Sequence, residues 1–301
     1  MSTPFSVYVA DAAVLVTNHL EGLLVEAPDH WEKARPKQLI AAMRHGVLNG
    51  GKRLRPFLVL ETAGLFGLSP QEAMSAAASL ECVHCYSLIH DDLPAMDDDD
   101  LRRGQPTVHK AFDEATAILA GDALLTFAFD LLAQHHTHAD PLVRSELVLR
   151  LARAAGMGGM IGGQMLDIGA ERETPNADTV RTLQAMKTGA LIRYACEAGS
   201  ILGGATVSER QSLSRYGEII GLAFQLADDL LDETSTPEAM GKAVGKDADQ
   251  GKATLVSLHG ADAVRAELAA LVAEAEACLA TFGDRGDRLR ETAQFVAQRT
   301  S

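Results

Sequence analysis

Asp91 and Asp92, followed by the run Asp97-Asp98-Asp99-Asp100, set six carboxylates within ten residues, directly after the apolar stretch Tyr86 to Ile89. Like charges this close repel one another unless they are solvated or bound to a cation. A wet loop would satisfy that condition, but Leu80, His84, Ser87 and Asp91 fall at i, i+4, i+7 and i+11, so Asp91 emerges from the same helical stripe as a histidine and a serine. The cluster is therefore expected at the mouth of an internal site. An EF-hand is excluded, because the alternating acidic positions and the glycine of its loop are absent.

A second acidic group lies 137 residues further on, in Phe224-Gln225-Leu226-Ala227-Asp228-Asp229-Leu230-Leu231-Asp232. Asp228 and Asp232 are i and i+4, and Gln225 precedes Asp228 by one turn, so three oxygen-bearing side chains share one helical face. Stacked carboxylates disfavour a helix by a few tenths of a kcal/mol per pair, roughly, which a bound divalent cation would offset. Cationic groups accompany these acids: Lys52, Arg53 and Arg55 after Gly50-Gly51, Arg102-Arg103 after the first acidic run, Lys187-Thr188, and Lys242, Lys246 and Lys252. Arginine forks fit phosphate oxygens and lysines act as mobile point charges. Gly50-Gly51-Lys52 lacks the upstream glycine of a P-loop, so nucleotide binding is not supported.

The elements that must carry these groups read as helices. Apolar residues recur at three and four rather than at two, and Ala, Leu, Met, Glu and Gln fill long segments between few prolines. Helices are expected near 6–27, 36–48, 55–66, 70–93, 108–136, 141–169, 178–202, 208–233, 261–281 and 286–298. Breaks fall at Gly50-Gly51, Ser69-Pro70, Arg103-Gly104-Gln105-Pro106, Asp140-Pro141, Thr174-Pro175 and Thr236-Pro237. None resembles an interdomain linker, so the expectation is an all-α, single-domain bundle of about ten helices over residues 1–301.

Composition bounds the function. With 47% hydrophobic and 23% charged residues the 301-residue chain is foldable and can bury a deep site. Its net charge of −14 argues against a nucleic-acid partner, and an anionic substrate would need a metal or a local basic cluster. Four scattered cysteines do not make a disulfide framework, which suggests a reducing compartment. No uninterrupted apolar run reaches about 18 residues, and the N-terminal stretch lacks a basic leader region, so a cytoplasmic location without stable membrane insertion is expected. Cys82 and Cys85 read as buried small residues, His135, His136 and His138 as a solvated helix end, and the glycines 156, 158, 159, 162 and 163 as packing or kink positions.

Taken in order, these motifs resemble the trans-isoprenyl diphosphate synthases, most closely the bacterial farnesyl diphosphate synthases. The carriers are Gly50-Gly51-Lys52-Arg53-Leu54-Arg55-Pro56, Glu81-Cys82-Val83-His84 running through Ser87-Leu88-Ile89-His90 into the first aspartate motif, and Ala120-Gly121-Asp122. Gly162-Gly163-Gln164-Met165-Leu166-Asp167, Lys187-Thr188-Gly189, the Gln225 to Asp232 segment, and Gly241-Lys242 with Gly251-Lys252 follow. The resemblance implies helices around a central cavity with the two aspartate motifs facing each other across its mouth, and a homodimer.

It implies Mg²⁺, with Mn²⁺ as a substitute, held by Asp91, Asp97 and Asp228 with Asp92 and Asp232 in support. Arg102, Lys187 and Lys242, with Gln225, would grip the allylic diphosphate of dimethylallyl or geranyl diphosphate. Gly51, Lys52, Arg55, His84 and Arg103 would take isopentenyl diphosphate, and Thr188 and Lys252 would join the substrate contacts. Tyr86, five residues before Asp91, sits about 7 to 8 Å deeper along the helix. With Ser87 beside it, Tyr86 is expected to limit product length to C15. Geranylgeranyl (C20) or geranyl (C10) products, a terpene cyclase and a non-catalytic partner subunit are the alternatives. A cyclase needs no second diphosphate pocket, against which Lys52, Arg55 and Arg103 count.

Overall fold

The computed structural model describes residues 4–170, 176–234 (side chains to 231) and 255–298. The chain is all-α apart from one two-residue hairpin among the described residues. It divides into two compact units, Met1–Leu60 with Ser69–Val148, and Glu61–Leu68 with Leu149–Ser301.

The first unit holds α1 (Phe5–Leu23), α2 (Lys37–Leu48), the start of α3 (Leu54–Gly64), α4 (Pro70–Asp91), a hairpin of β1 (Leu101–Arg102) and β2 (Gln105–Pro106), α5 (Val108–Ala111), α6 (Glu114–Ala133) and the start of α7 (Pro141–Ala155). Ser69 and Glu72 form a capping box with Pro70 at the first helical position, so α4 begins where its turn signal lies. Every residue from Ala73 to Val83 is buried, which makes α4 the central helix of this unit. Its small residues let α6 lie alongside, and Ser79 Oγ donates to the Ala128 carbonyl at 2.7 Å. Further along, a Cβ on Gly121 would collide with the His90 ring, so only glycine allows α6 to cross there.

The second unit holds α8 (Met160–Ala170), α9 (Ala177–Gln184), a π-helical turn (Ala185–Gly189), α10 (Ala190–Leu202), α11 (Val207–Thr234), α12 (Leu255–His259), α13 (Ala261–Cys278), a 3-10 turn (Ala280–Gly286) and α14 (Asp287–Ala297). All of α10 except Arg193 is buried, and α11 packs between it and α13. The buried Tyr216 hydroxyl donates to the Leu289 carbonyl at 2.7 Å, tying α11 to α14.

Several expected helices are interrupted. The 108–136 segment breaks at Phe112-Asp113, where Asp113 accepts the Thr116 N–H at 2.8 Å and starts α6 as its N-cap. The 141–169 segment breaks after Ala155, at a Gly-rich stretch in which Gly159 has no room for a Cβ beside the Ala154 carbonyl. The 178–202 segment carries the π turn, and α12 lies outside every expected helix. By length and average hydropathy α6 could cross a bilayer, although Asp122 and Asp130 interrupt its apolar run. Cys82, Cys85 and Cys196 are buried thiols, and burial with the neighbouring Glu81 pushes Cys85 up to about 12.

Candidate active site

In the first unit the stripe read from the sequence grades from core to opening. Leu80 is fully buried, while His84, Ser87 and Asp91 are half-buried. Asp91 ends α4 and Asp92 caps it; the chain then folds back so that the Asp97 N–H donates to the Asp91 carbonyl at 2.8 Å. This return sets Asp97 beside Asp91. Asp92 points elsewhere: its buried carboxylate accepts Arg102 Nε at 2.7 and 2.9 Å and pairs with Nη2 at 2.5 Å. Burial alone would lower the Arg102 pKa, but Asp92, with Asp99 and Asp91, together raise it.

Arg102 and Arg103 sit on the hairpin because Arg103 and Gly104 both take positive φ, 53° and 75°, as a two-residue turn with the twist of its strands requires. His45 Nε2 bonds the Pro106 carbonyl at 2.7 Å and Asn49 donates to the Arg102 carbonyl at 3.4 Å, so α2 holds the hairpin in place. Arg103 reaches back to the Gly50 carbonyl. Gly51, at φ 118°, takes a conformation that residues with a side chain rarely adopt, and a Cβ there would stand 2.6 Å from the Arg103 guanidinium.

These contacts gather cations around His84. Arg55 Nη1 lies 3.4 Å from His84 Nε2. Burial, then Arg55, Arg103, Arg53 and Arg102, hold the His84 pKa well below the ordinary 6.5, so the ring is neutral at pH 7. Lys52 is exposed at the edge of this loop. A strongly acidic chain thus keeps a concentrated positive pocket here, suited to a multiply charged anion. Arg53 is different: its side chain is fully buried against Glu81.

Tyr86 is buried one turn above His90, ring to ring at 5.7 Å and 79°. Among the described residues its hydroxyl has no hydrogen-bond partner. Burial and Asp91 push the phenol up to about 12. Ser87 Oγ donates to the His84 carbonyl at 2.9 Å and is held by its own helix.

In the second unit Lys187 stands on the π turn and pairs with Asp167 of α8 at 2.6 Å, with Thr188 half-buried beside it. Gly163 and Gly221 leave room for the turn: a Cβ on Gly163 would strike the Lys187 backbone, and one on Gly221 would stand 2.7 Å from Gly189 Cα. Gln225 and Asp228 are half-buried on α11. Asp229 is buried and turned inward, accepting from Gln184 Nε2 at 3.1 Å and the Leu255 N–H at 3.3 Å. The Asp232 side chain, Lys242, Lys246 and Lys252 lie outside the described residues. Asp167 and Glu81 are partners of Lys187 and Arg53 that spacing does not reveal, although both stand inside the motifs read from the sequence.

Among the described residues no three His, Cys, Asp or Glu side chains are gathered as a ready metal site. The donors nevertheless suit Mg²⁺, a hard cation held through one or two carboxylates, waters and substrate phosphate oxygens rather than by an all-protein cage.

Residues 36–282 match the model of the polyprenyl synthetase family. A farnesyl diphosphate synthase of Escherichia coli (strain K12) is 43% identical over 266 residues, 87% of this chain and 89% of the relative. A chloroplastic geranylgeranyl pyrophosphate synthase of Capsicum annuum is 39% identical over 98% of this chain and 79% of its own. The apo crystal structure of an FPP/GFPP synthase from Zymomonas mobilis aligns with TM-score 0.85 at 42% identity, covering 97% of this chain and 98% of that one.

Proposed function

Because the chain belongs to the polyprenyl synthetase family, we propose that it joins isopentenyl diphosphate head-to-tail to dimethylallyl diphosphate, then to geranyl diphosphate, and releases farnesyl diphosphate. It is a prenyltransferase. The observation that carries the isopentenyl half of this reading is the cationic pocket: Arg55 Nη1 lies 3.4 Å from His84, whose ring is kept neutral first by burial and then by the guanidiniums of Arg55, Arg103, Arg53 and Arg102, in a chain of net charge −14.

In the reaction the allylic C–O bond breaks, the diphosphate leaves with the electron pair, and the isopentenyl double bond attacks the allylic carbon. The new cation then loses a proton, which the departed diphosphate can accept. No protein nucleophile is required. Asp91, Asp97 and Asp228, with Asp92 and Asp232 in support, would hold Mg²⁺, or Mn²⁺ with the same donor preference, which would supply electrostatic stabilisation of the charge on the leaving diphosphate. Arg102, Lys187, Lys242 and Gln225 would hold the allylic diphosphate, with Thr188 and Lys252 as further substrate contacts. Lys52, Arg55, His84 and Arg103 hold that of isopentenyl diphosphate, and Gly51 keeps the backbone open to it. Arg102 and Lys187 are paired with Asp92 and Asp167, so substrate binding exchanges those partners for phosphate oxygens. Apolar walls exclude water from the cation and bind the growing chain at about 0.8 kcal/mol per buried CH₂.

Tyr86 is the proposed floor of the chain cavity, which makes C15 the expected product. The whole chain acts as one polyprenyl synthase domain, in the cytoplasm, as a homodimer for which the exposed Ile118, Leu119 and Leu142 offer apolar surface. Incubating the protein with labelled isopentenyl diphosphate and each allylic primer, then sizing the dephosphorylated products, tests the reading. Failure to consume isopentenyl diphosphate overturns the function, and mainly C20 product overturns the chain length.

A further inference from the structure

Arg53 lies within the basic loop yet takes no part in its open surface. It has a positive φ of 50°, a conformation that disfavours any residue with a side chain. Its guanidinium is fully buried and touches two elements: Nη2 donates to the Val47 carbonyl in the last turn of α2, and Nη1 donates to Glu81 Oε1 at 2.5 Å and to Cys85 Sγ at 3.8 Å on α4. Arg53 itself leads into α3. Glu81 is 2% exposed and is the carboxylate that meets this cation in a region otherwise crowded with guanidiniums.

We infer that Arg53 and Glu81 are a positioning pair for the anion pocket. The buried contact holds the strained Arg53 backbone at the point where α2, α3 and α4 meet. Lys52 and Arg55 flank that residue, so their reach toward a diphosphate beside His84 is set by a side chain that never touches it. This inference rests on the isopentenyl diphosphate reading of the pocket and deepens it. A purely structural ion pair would make a different prediction. Removing one member of a buried pair leaves an uncompensated charge and destabilises the fold, whereas replacing both with apolar residues of similar size restores stability. Restored stability does not restore the Arg53 clamp on Val47 and Glu81.

The test is therefore the pair Glu81→Gln and the double variant Arg53→Met/Glu81→Leu, each compared with wild type by thermal unfolding, steady-state kinetics and titration calorimetry. Calorimetry uses inorganic pyrophosphate and isopentenyl diphosphate as separate probes. The double variant is expected to melt near wild type, yet to raise the KM for isopentenyl diphosphate and the Kd for pyrophosphate by about tenfold or more, through lost preorganisation. Its KM for the allylic primer and its kcat at saturation should move by less than about threefold. A folded double variant with wild-type affinity for both probes overturns the inference, as does a Glu81→Gln variant that loses stability alone. Wild-type protein that binds pyrophosphate, with affinity lost in the double variant, but never consumes isopentenyl diphosphate leaves the positioning pair standing and overturns the substrate assignment instead.

Discussion

Arg102 closes on both carboxylate oxygens of Asp92, with Nε 2.7 Å from Oδ1 and 2.9 Å from Oδ2, so the second aspartate of the first acidic motif is already matched to a cation. Asp91, one residue earlier, ends α4, where the helix dipole disfavours a negative charge. Adjacent aspartates thus have unequal consequences for the fold. Asp92→Asn should lower stability by about 3 kcal/mol because it leaves a largely buried guanidinium with only the longer Asp99 contact at 3.8 Å. Asp91→Asn should cost less, because relief from the helix dipole offsets the loss of its attraction to Arg102. Urea unfolding of the two variants decides this, and equal losses would contradict it.

The two variants should separate again in catalysis. Asp91→Asn and Asp228→Asn should lower kcat by about 10² to 10³, since each removes charge complementarity that matters most as the diphosphate leaves. Lys52→Ala and Arg55→Ala should instead raise the KM for isopentenyl diphosphate more than that for the allylic primer. Steady-state kinetics with each substrate varied in turn checks the split, and uniform effects would refute it.

Turnover should require a divalent cation. Carboxylates meet diphosphate oxygens only through a hard cation, and no described trio of donors would retain one without substrate. Excess chelator should abolish product formation, and added Mg²⁺ should restore it. Full turnover in chelator would rule the metal role out.

His84 makes stability depend on pH. Its folded pKa is depressed below 6.5 by burial and four arginines, so below that value the unfolded chain takes up a proton that the folded chain refuses. The His84 contribution is fully present above pH 6.5 and is lost as the pH falls below it toward the folded pKa, at up to about 1.4 kcal/mol per pH unit. His84→Gln should flatten that slope between pH 6.5 and 5.5. Unchanged pH dependence in urea unfolding would show that the ring is not held neutral.

Tyr86 offers two substitutions with different readouts. Its buried hydroxyl has no partner among the described residues, so Tyr86→Phe should raise stability by about 1 kcal/mol and leave C15 product. Tyr86→Ala should open the space below Asp91 and shift product toward C20 while keeping the metal requirement. Chromatography of dephosphorylated products would refute the floor assignment if the alanine variant still stops cleanly at C15.

How much of this was legible in the sequence follows from where the information is local. The Leu80-His84-Ser87-Asp91 stripe and the Ser69-Pro70 start of α4 depend on spacing alone, and both stand in the structure. The basic loop was legible only as charge: spacing could not distinguish buried Arg53 from exposed Lys52, because the difference is set by Glu81, 28 residues away. The break at Asp113 is masked by the apolar periodicity that runs through 108–136; the local signal for it is Asp113 itself, a residue type favoured as an N-cap. The inward turn of Asp229 depends on Gln184 and Leu255, which only tertiary structure brings to it.

The wide turn at Ala185–Gly189 acts as a one-residue frameshift in the helical face. In α9 the buried positions are Val180 and Gln184, and an uninterrupted α-helix would continue that stripe at 187 or 188, driving Lys187 or Thr188 into the core. The inserted residue delays the next buried position to Gly189, so α10 resumes its apolar face while Lys187 remains half-open and in reach of Asp167. The segment is therefore constrained in length before it is constrained in composition. Deleting one residue there would turn everything upstream by about 100° against α10 and bury the cation, whereas many substitutions at Ala185 or Met186 would keep the face in phase.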